Sequence, residues 1–254
     1  MINQQLVINN FAHKINLFTR AVGGTLLHKE DFLLADTGIP TDTHNVLLSL
    51  AARVENLTFI QEGLNRLREK GFPFSAWIDS RFVSDNWKAL LGEFNLAEAE
   101  RSSMMKLEQT VGIQPVKQED LLIEKVNGPD GLKDYADILL SLFAGTEERN
   151  ALGQYFRQVS AGILLKNVHM YIGRHENEVV STGLFIDDGA CYGIYDLMTA
   201  GSHRQKGYGS TMFRHLLSEM PDKHKEVVLL ASQDGKRLYE RFGFEEVGEM
   251  IVYE

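Results

Sequence analysis

Apolar residues recur at helical and strand spacings through the second half of the chain, and turn residues separate these segments. Segment 131–145 places apolar side chains every three or four residues and ends at Gly145, which predicts a helix. The same reasoning predicts further helices over 148–160, 207–219 and 236–242. Alternating or continuous apolar runs predict strands over 121–126, 168–174, 178–187, 190–199, 226–232 and 243–254.

This order, β-α-α-β-β-β-α-β-α-β, indicates an α/β fold of the α+β type. We expect a mixed, mostly antiparallel sheet with helices on its faces. Three consecutive strands joined by short turns predict an antiparallel meander, and the helix-linked strands after them allow one parallel crossover. The continuous apolar run 226–232 is typical of a strand buried on both faces.

The first half of the chain is less regular. Segment 107–120 contains a glycine and a proline and lacks periodicity, so we place a domain boundary near residue 115. The predicted domains are residues 1–115 and 116–254. In the first domain the pattern predicts short strands over 18–38, a strand over 45–51, a helix over 55–71, a strand over 72–78 and a helix over 83–96.

Composition and charge narrow the functional class. A net charge of −9 argues against a general nucleic-acid binder, which needs a basic surface. The single Cys191 excludes an intrachain disulfide and fits a reducing compartment. The first residues lack a long apolar run, and no stretch reaches the roughly 18 apolar residues of a membrane span. We therefore expect a cytoplasmic protein without a membrane partner.

A glycine-rich segment, "HRQKGYGSTMF" over 203–213, opens the predicted helix 207–219. The first N–H groups of a helix lack intrahelical partners, and glycine lets the backbone approach a ligand, so such a turn can bind an anion. The segment matches neither the phosphate-binding P-loop nor the GxGxxG fingerprint. Taken alone, it is equally consistent with a tight turn that feeds a helix.

A second motif lies about 30 residues downstream, "RLYERFGFEEV" over 237–247. The pair Arg204-x-x-Gly207-x-Gly209 and Leu238-Tyr239-x-x-x-Gly243-Phe244 resembles the GNAT superfamily of acyl-CoA-dependent N-acetyltransferases. Both motifs stand in the family's order and separation. The resemblance covers about residues 119–254, and it implies acetyl-CoA as co-substrate and a primary amine, on a small molecule or a peptide, as acceptor.

The resemblance also implies roles for individual residues. The strand end at Leu197, Met198 and Thr199 would separate from its neighbour and pair with the pantetheine arm, with the Met198 amide donating to the thioester carbonyl. Tyr239 would be the general acid that protonates the leaving thiolate, its alternative being a packed aromatic residue. The pyrophosphate would face the turn that consists of Arg204, Gln205, Lys206, Gly207, Tyr208, Gly209 and Ser210. The backbone amides from Gln205 to Ser210 would hold it.

The resemblance further implies an acidic general base just before the open strand end, acting directly or through water, and the matching residue is Asp196. Whether Asp196 or a water molecule is the base is left open. Strand alternation predicts Ile194, Asp196 and Met198 on one face, and an aspartate among apolar neighbours needs a reason. The alternative is a salt-bridged or exposed strand residue. Ser232 stands where the family often has an asparagine that contacts the pantetheine arm, so one contact is expected to be weaker. The histidines show no paired ligand spacing, so no metal is expected.

The first half resembles a second, degenerate GNAT unit. Segment 90–99 aligns with 238–247, so that Asn95 falls on Gly243 and Leu91 takes the place of Tyr239. Asparagine is the next-best residue after glycine where φ is positive. Without a tyrosine and without Gly-x-Gly, this half is expected neither to bind CoA nor to catalyse. It would cover the edge of the catalytic sheet and shape the acceptor pocket; chance similarity is the alternative.

Two functions from different classes remain open on the sequence. The first is an enzyme in which an amine attacks the thioester directly, without a covalent enzyme intermediate. The second is a non-catalytic acyl-CoA sensor or interaction module, which has no need of the proton donor Tyr239. The acidic surface favours the encounter with a cationic amine. The identity of the acceptor is not readable, and a homodimer is left open.

Overall fold

The computed structural model describes residues 2–52, 56–116 and 118–254, without the side chain of Ile2. Glu55, the first residue of the helix predicted over 55–71, lies outside the described residues. The helices are α1 (Ile2–Ala21), α2 (Leu57–Glu69), α3 (Asp85–Glu93), α4 (Gly128–Leu142), α5 (Glu147–Gln158), α6 (Ala161–Asn167), α7 (Tyr208–Glu219) and α8 (Lys236–Glu240). The strands are β1 (Thr25–His28), β2 (Phe32–Asp36), β3 (Val46–Ser49), β4 (Ser75–Asp79), β5 (Glu98–Leu107), β6 (Leu122–Lys125), β7 (Val168–His175), β8 (Glu178–Asp187), β9 (Tyr192–Thr199), β10 (Val227–Ala231) and β11 (Glu245–Tyr253).

The described strands form one 11-stranded sheet in the order β1-β2-β3-β4-β11-β5-β10-β9-β8-β7-β6. The pairs β3–β4 and β9–β10 are parallel, and the other pairs are antiparallel. The predicted mixed sheet is thus confirmed, including the antiparallel meander β7-β8-β9. No helix in the described part of the chain is long and apolar enough to cross a membrane.

The final strands of the two halves are exchanged across the centre of the sheet. β5, from the first half, pairs with β10 of the second half, while β11, from the second half, pairs with β4 of the first. At the centre of the sheet, β5 and β11 pair with each other, so the order there is β4-β11-β5-β10. The sheet therefore repeats the same arrangement on both sides of the central pair, and neither half completes its sheet without a strand from the other.

Helices cover both faces of the sheet. Helices α1, α4 and α5 contribute Ile8, Tyr135 and Tyr155 to one buried cluster, which includes Met104 of β5. The next residue, Met105, faces the opposite side and packs with Phe213 of α7. We call these the α1 face and the α7 face. On the α7 side, α2 and α3 cover the first-half strands with a further cluster that contains Leu64 and Trp87.

Three elements were not predicted from the sequence: α1, β5 and α6. Helix α1 could have been predicted from its apolar spacing. Its buried residues stand three or four positions apart, at Val7, Phe11, Ile15 and Phe18. Strand β5 begins with four exposed residues and is buried only from Ser102 onward, so its apolar pattern is short. Its place in the sheet depends on the two strands that flank it rather than on its own sequence.

The aligned residues Asn95 and Gly243 share a backbone conformation. Asn95 has φ 57° and Gly243 has φ 86°, so both aligned residues occupy the left-handed region. Each follows a helix and precedes the exchanged strand of its half. A non-glycine residue in this region is uncommon, and asparagine tolerates it better than most.

We expect Asn95→Ala to lower the free energy of unfolding by about 1 kcal/mol, because alanine is strained in the left-handed conformation. Asn95→Gly should retain the wild-type stability or exceed it slightly. Urea unfolding followed by circular dichroism measures both values. Equal stability of the alanine and glycine variants would show that the left-handed conformation of this turn is not maintained in solution.

Candidate active site

The parallel pair β9–β10 opens at one end. Its register runs from Tyr192 opposite Val227 to Ile194 opposite Leu229 and stops there. Strand β9 continues to Thr199 and β10 to Ala231, so the two strand ends lie side by side without pairing. The backbone of Leu197, Met198 and Thr199 therefore has an open edge toward β10.

A β-bulge at Asp196 accompanies this opening. The register between β8 and β9 shifts, from Leu184 opposite Tyr195 to Thr182 opposite Met198. Asp196 has φ 52°, in the left-handed region. Because a bulge bends its strand and increases the local twist, it explains why β9 leaves β10 at this point.

The predicted alternation of Ile194, Asp196 and Met198 on one face is wrong. Ile194 packs in the α7-face cluster, whereas the Asp196 side chain contacts Lys14 and Tyr135 on the α1 face. The bulge adds one residue to β9 and so reverses the facing of Asp196. Its carboxylate consequently points away from the side on which α7 and Tyr239 lie.

The glycine-rich segment forms the turn between β9 and α7. A short 3-10 turn, Gly201–His203, follows the strand, and Gly207 then caps α7 with φ 88°. Among the described residues, the backbone N–H groups from Gln205 to Ser210 donate to no backbone carbonyl. The Arg204 side chain returns to the strand, where its Nε donates to the Thr199 carbonyl at 3.4 Å. The turn thus presents unpaired N–H groups next to the open strand end.

The two glycines are required for different reasons. Gly207 adopts a φ of 88° that side-chain-bearing residues rarely adopt. At Gly209 the space is limited instead, because a Cβ built there would lie 3.1 Å from Thr199 Oγ1. Gly209 therefore allows the first turn of α7 to lie directly against the end of β9.

Tyr208 and Ser232 lie at the edges of this site. The Tyr208 ring is buried, and its hydroxyl donates to Asp120 Oδ2 at 2.7 Å. Ser232 follows β10 and is exposed. Its Oγ accepts from the Gly235 N–H at 3.3 Å and so supports the turn into α8.

Tyr239 projects from α8 into the aromatic cluster of the α7 face. Its ring centroid lies 5.0 Å from that of Phe213 and 6.2 Å from that of Phe244. Burial raises the pKa of Tyr239 to about 12. A phenol with this pKa keeps its proton at neutral pH and remains able to donate it.

On the α1 face, Asp196 is held by residues far away in the sequence. Lys14 Nζ of α1 lies 3.1 Å from Asp196 Oδ1, and the Tyr135 hydroxyl of α4 donates to Oδ2 at 3.4 Å. Burial and the Asp196 carboxylate raise the pKa of Tyr135 well above its ordinary value. The sequence did not point to Lys14, because 182 positions separate it from Asp196 and no motif includes it.

A small cavity of about 30 Å³ adjoins Lys14 on this face. Phe18 of α1 and His44, which precedes β3, line it, and the His44 ring stacks on Tyr155 at 4.1 Å. Burial, with a contribution from the positive charge of Lys14, lowers the pKa of His44 to about 3, so this imidazole is neutral at pH 7. Residues of both halves therefore meet around Asp196.

Cys191 is buried and has no nucleophilic environment. Burial and the neighbouring Asp188 raise the pKa of its thiol to about 12, so a thiolate is disfavoured. Among the described residues, no group of three or more His, Cys, Asp or Glu side chains is arranged to hold a metal ion.

A comparison with protein-family models finds a match in the second half of the chain. The model of the acetyltransferase (GNAT) family matches residues 134–244. This part of the chain is a GNAT-family domain. The match spans α4 to α8 and includes the open β9–β10 end, the glycine turn and Tyr239. A comparison of the chain with curated proteins finds no match.

Solved structures share the fold over most of the chain, so the likeness extends into the part before residue 134. A GCN5-related N-acetyltransferase from Kribbella flavida superposes with a TM-score of 0.64 at 12% identity, covering 95% of this chain and 94% of that one. A functionally unknown protein from Staphylococcus epidermidis gives 0.68 at 12% identity, with 91% and 94% covered. A tandem GNAT protein from the clavulanic acid biosynthesis pathway gives 0.57 at 12% identity, with 87% and 77% covered. At these identities the likeness concerns the fold.

Proposed function

We propose that this protein is a cytoplasmic N-acetyltransferase that moves the acetyl group of acetyl-CoA to a primary amine in a ternary complex. The observation that carries the proposal is the open end of β9–β10, with unpaired turn N–H groups beside it and Tyr239 on the neighbouring helix α8. Acetyl-CoA supplies the activated acyl group as a thioester. The remaining steps depend on groups of this chain.

The turn and the strand end hold the co-substrate in this proposal. The N–H groups from Gln205 to Ser210 bind the pyrophosphate, helped by the α7 dipole. The open edge of Leu197, Met198 and Thr199 pairs with the pantetheine arm, and the Met198 amide stabilises the developing oxyanion. Ser232 makes the weaker contact on the β10 side.

In this proposal the amine and the thioester meet at the unpaired end of β9 and β10, between groups on the two faces of the sheet. Tyr239 lies on the α7 face and protonates the leaving sulfur, whereas Asp196 lies on the α1 face and takes the proton of the amine, directly or through a water molecule. An acid and a base on opposite faces suit a reaction in which the acceptor enters from the side away from CoA.

The first half has a supporting role in this proposal. It is a degenerate GNAT-like unit that completes the sheet through β5 and closes the α1 face through helix α1. Its α3 carries the buried Leu91 at the position aligned with Tyr239, and leucine has no proton to donate. The acceptor pocket is accordingly shaped by both halves.

The test is a thiol-release assay with acetyl-CoA against polyamines, amino acids, aminoglycosides and peptides. We expect at least one amine to release free CoA in an acceptor-dependent manner, with the acetylated product seen by mass spectrometry. Tight binding of acetyl-CoA without release by any amine would instead support the non-catalytic acyl-CoA sensor.

A further inference from the structure

Helix α1 reaches from the first half of the chain to the proposed base of the second. Lys14 Nζ lies 3.1 Å from Asp196 Oδ1, and both side chains are only 17% exposed. The Lys14 ammonium also lies over the ring of Tyr195 at 4.7 Å and over the ring of Phe18 at 5.3 Å. Contacts on three sides thus fix the position of this ammonium in a largely aromatic environment.

Asp196 needs such a partner for two physical reasons. Its backbone is in the left-handed region, with φ 52°, which is unfavourable for a residue with a side chain. Its carboxylate accepts from the Tyr135 hydroxyl of α4 at 3.4 Å. Its charge also contributes to the raised pKa of Tyr135, of Tyr155 on α5 and of Tyr195 on its own strand. A carboxylate in this environment is costly without a cation.

From this geometry we infer that Lys14 is a positioning residue of the acetyltransferase, which holds the Asp196 carboxylate toward the α1 face for proton transfer from the acceptor. The inference rests on the proposed function, because it assigns the base role to Asp196. Lys14 acts through Asp196, and none of the contacts described for Lys14 involves the co-substrate turn. The first half thereby contributes to catalysis as well as to the fold.

The charged and titratable groups around this pair come from four elements and one loop. They are Lys14 of α1, His44 of the β2–β3 loop, Tyr135 of α4, Tyr155 of α5 and Tyr195 of β9. His44 is neutral at pH 7, and the raised pKa values of the three tyrosines keep their phenols neutral too. Lys14 is therefore the cation that this group of residues offers to Asp196.

The test is a kinetic double-mutant cycle on the full chain, with an acceptor found in the thiol-release assay. We expect Lys14→Met to lower kcat by about 10- to 100-fold, since it leaves Asp196 without the contact that orients it. The KM for acetyl-CoA should stay within about twofold, because the turn and the β9 edge are untouched. Lys14→Arg should restore most of the activity.

The decisive comparison is made in the Asp196→Asn background. If Lys14 acts through Asp196, adding Lys14→Met there should change kcat by less than about twofold. If the two substitutions instead multiply, Lys14 has an independent structural effect and the inference is overturned. If the wild type shows no acceptor-dependent thiol release, the proposed function fails and the inference fails with it.

Lys225, which precedes β10 and contacts the first residue of β9, offers a matched control. Its Nζ lies 2.8 Å from Asp187 Oδ1 and 4.8 Å from the centroid of Tyr192, and it is also 17% exposed. Lys225→Met removes an ion pair of an equally buried lysine, with a more exposed aspartate, at the other end of β9, so it should leave kcat unchanged. Melting temperatures of both variants show whether a loss of activity follows from a loss of folding.

Discussion

Replacing Tyr239 with phenylalanine is expected to lower kcat by about 100-fold or more while the affinity for acetyl-CoA barely changes. The substitution removes one hydroxyl and keeps the ring that packs on Phe213 and Phe244. Without the phenol, the thiolate has to leave without a positioned proton donor. Initial rates of thiol release give kcat, and calorimetry gives the Kd of acetyl-CoA.

Tyr171→Phe is the matched control for this experiment. Tyr171 lies in the same cluster, and burial raises the pKa of its phenol to about 12, as for Tyr239. Its hydroxyl donates to Glu219 at 3.5 Å, away from the glycine turn. We expect this variant to turn over normally. Unchanged turnover of Tyr239→Phe would mean that the general acid is another group.

Gly209→Val is expected to abolish the binding of acetyl-CoA and to leave a folded protein. A Cβ at this position already lies 3.1 Å from Thr199 Oγ1, and the two further methyl groups of valine extend into the space between the turn and the end of β9. The N–H groups of the first α7 turn then lose their access to the pyrophosphate. We expect Kd to rise by at least about 100-fold, which corresponds to roughly 2.7 kcal/mol.

Gly162→Val controls for the cost of valine near a helix start. Gly162 is the second residue of α6, as Gly209 is of α7, and nothing lies within 4 Å of a Cβ built on it. This variant should bind acetyl-CoA like the wild type. Circular dichroism and melting temperature establish folding for both. If a folded Gly209→Val protein binds acetyl-CoA with wild-type affinity, the turn is not part of the co-substrate site.

Much of the second half follows from local sequence. The apolar periodicity predicts α4, α5 and α7 and the strands β6 to β11 to within a few residues, because each of these segments buries one regular face or both. The two motifs around Gly207 and Tyr239 predict the family, and the family comparison confirms it. The roles of the individual site residues stay predictions that the experiments above address.

The positions of the strands within the sheet could not be predicted from local sequence in the same way. Strand β5 has a short apolar pattern, and its position between β10 and β11 results from pairing with strands more than 100 positions away in the sequence. The exchange of the two final strands depends on that pairing, so the single sheet across both halves could not be derived from segments read one at a time.

The candidate site shows the same division between local and long-range information. The sequence by itself determined which residues stand at the turn, because Gly207 and Gly209 lie together in one short local motif. Only the tertiary structure decided that Gly207 serves a positive φ and Gly209 a close approach to Thr199. The contact between Asp196 and Lys14 is likewise visible only in the structure. A bulge reverses the direction of the Asp196 side chain and leaves no trace in the apolar pattern. The ion pair also joins residues 182 positions apart, which come together only in the folded chain.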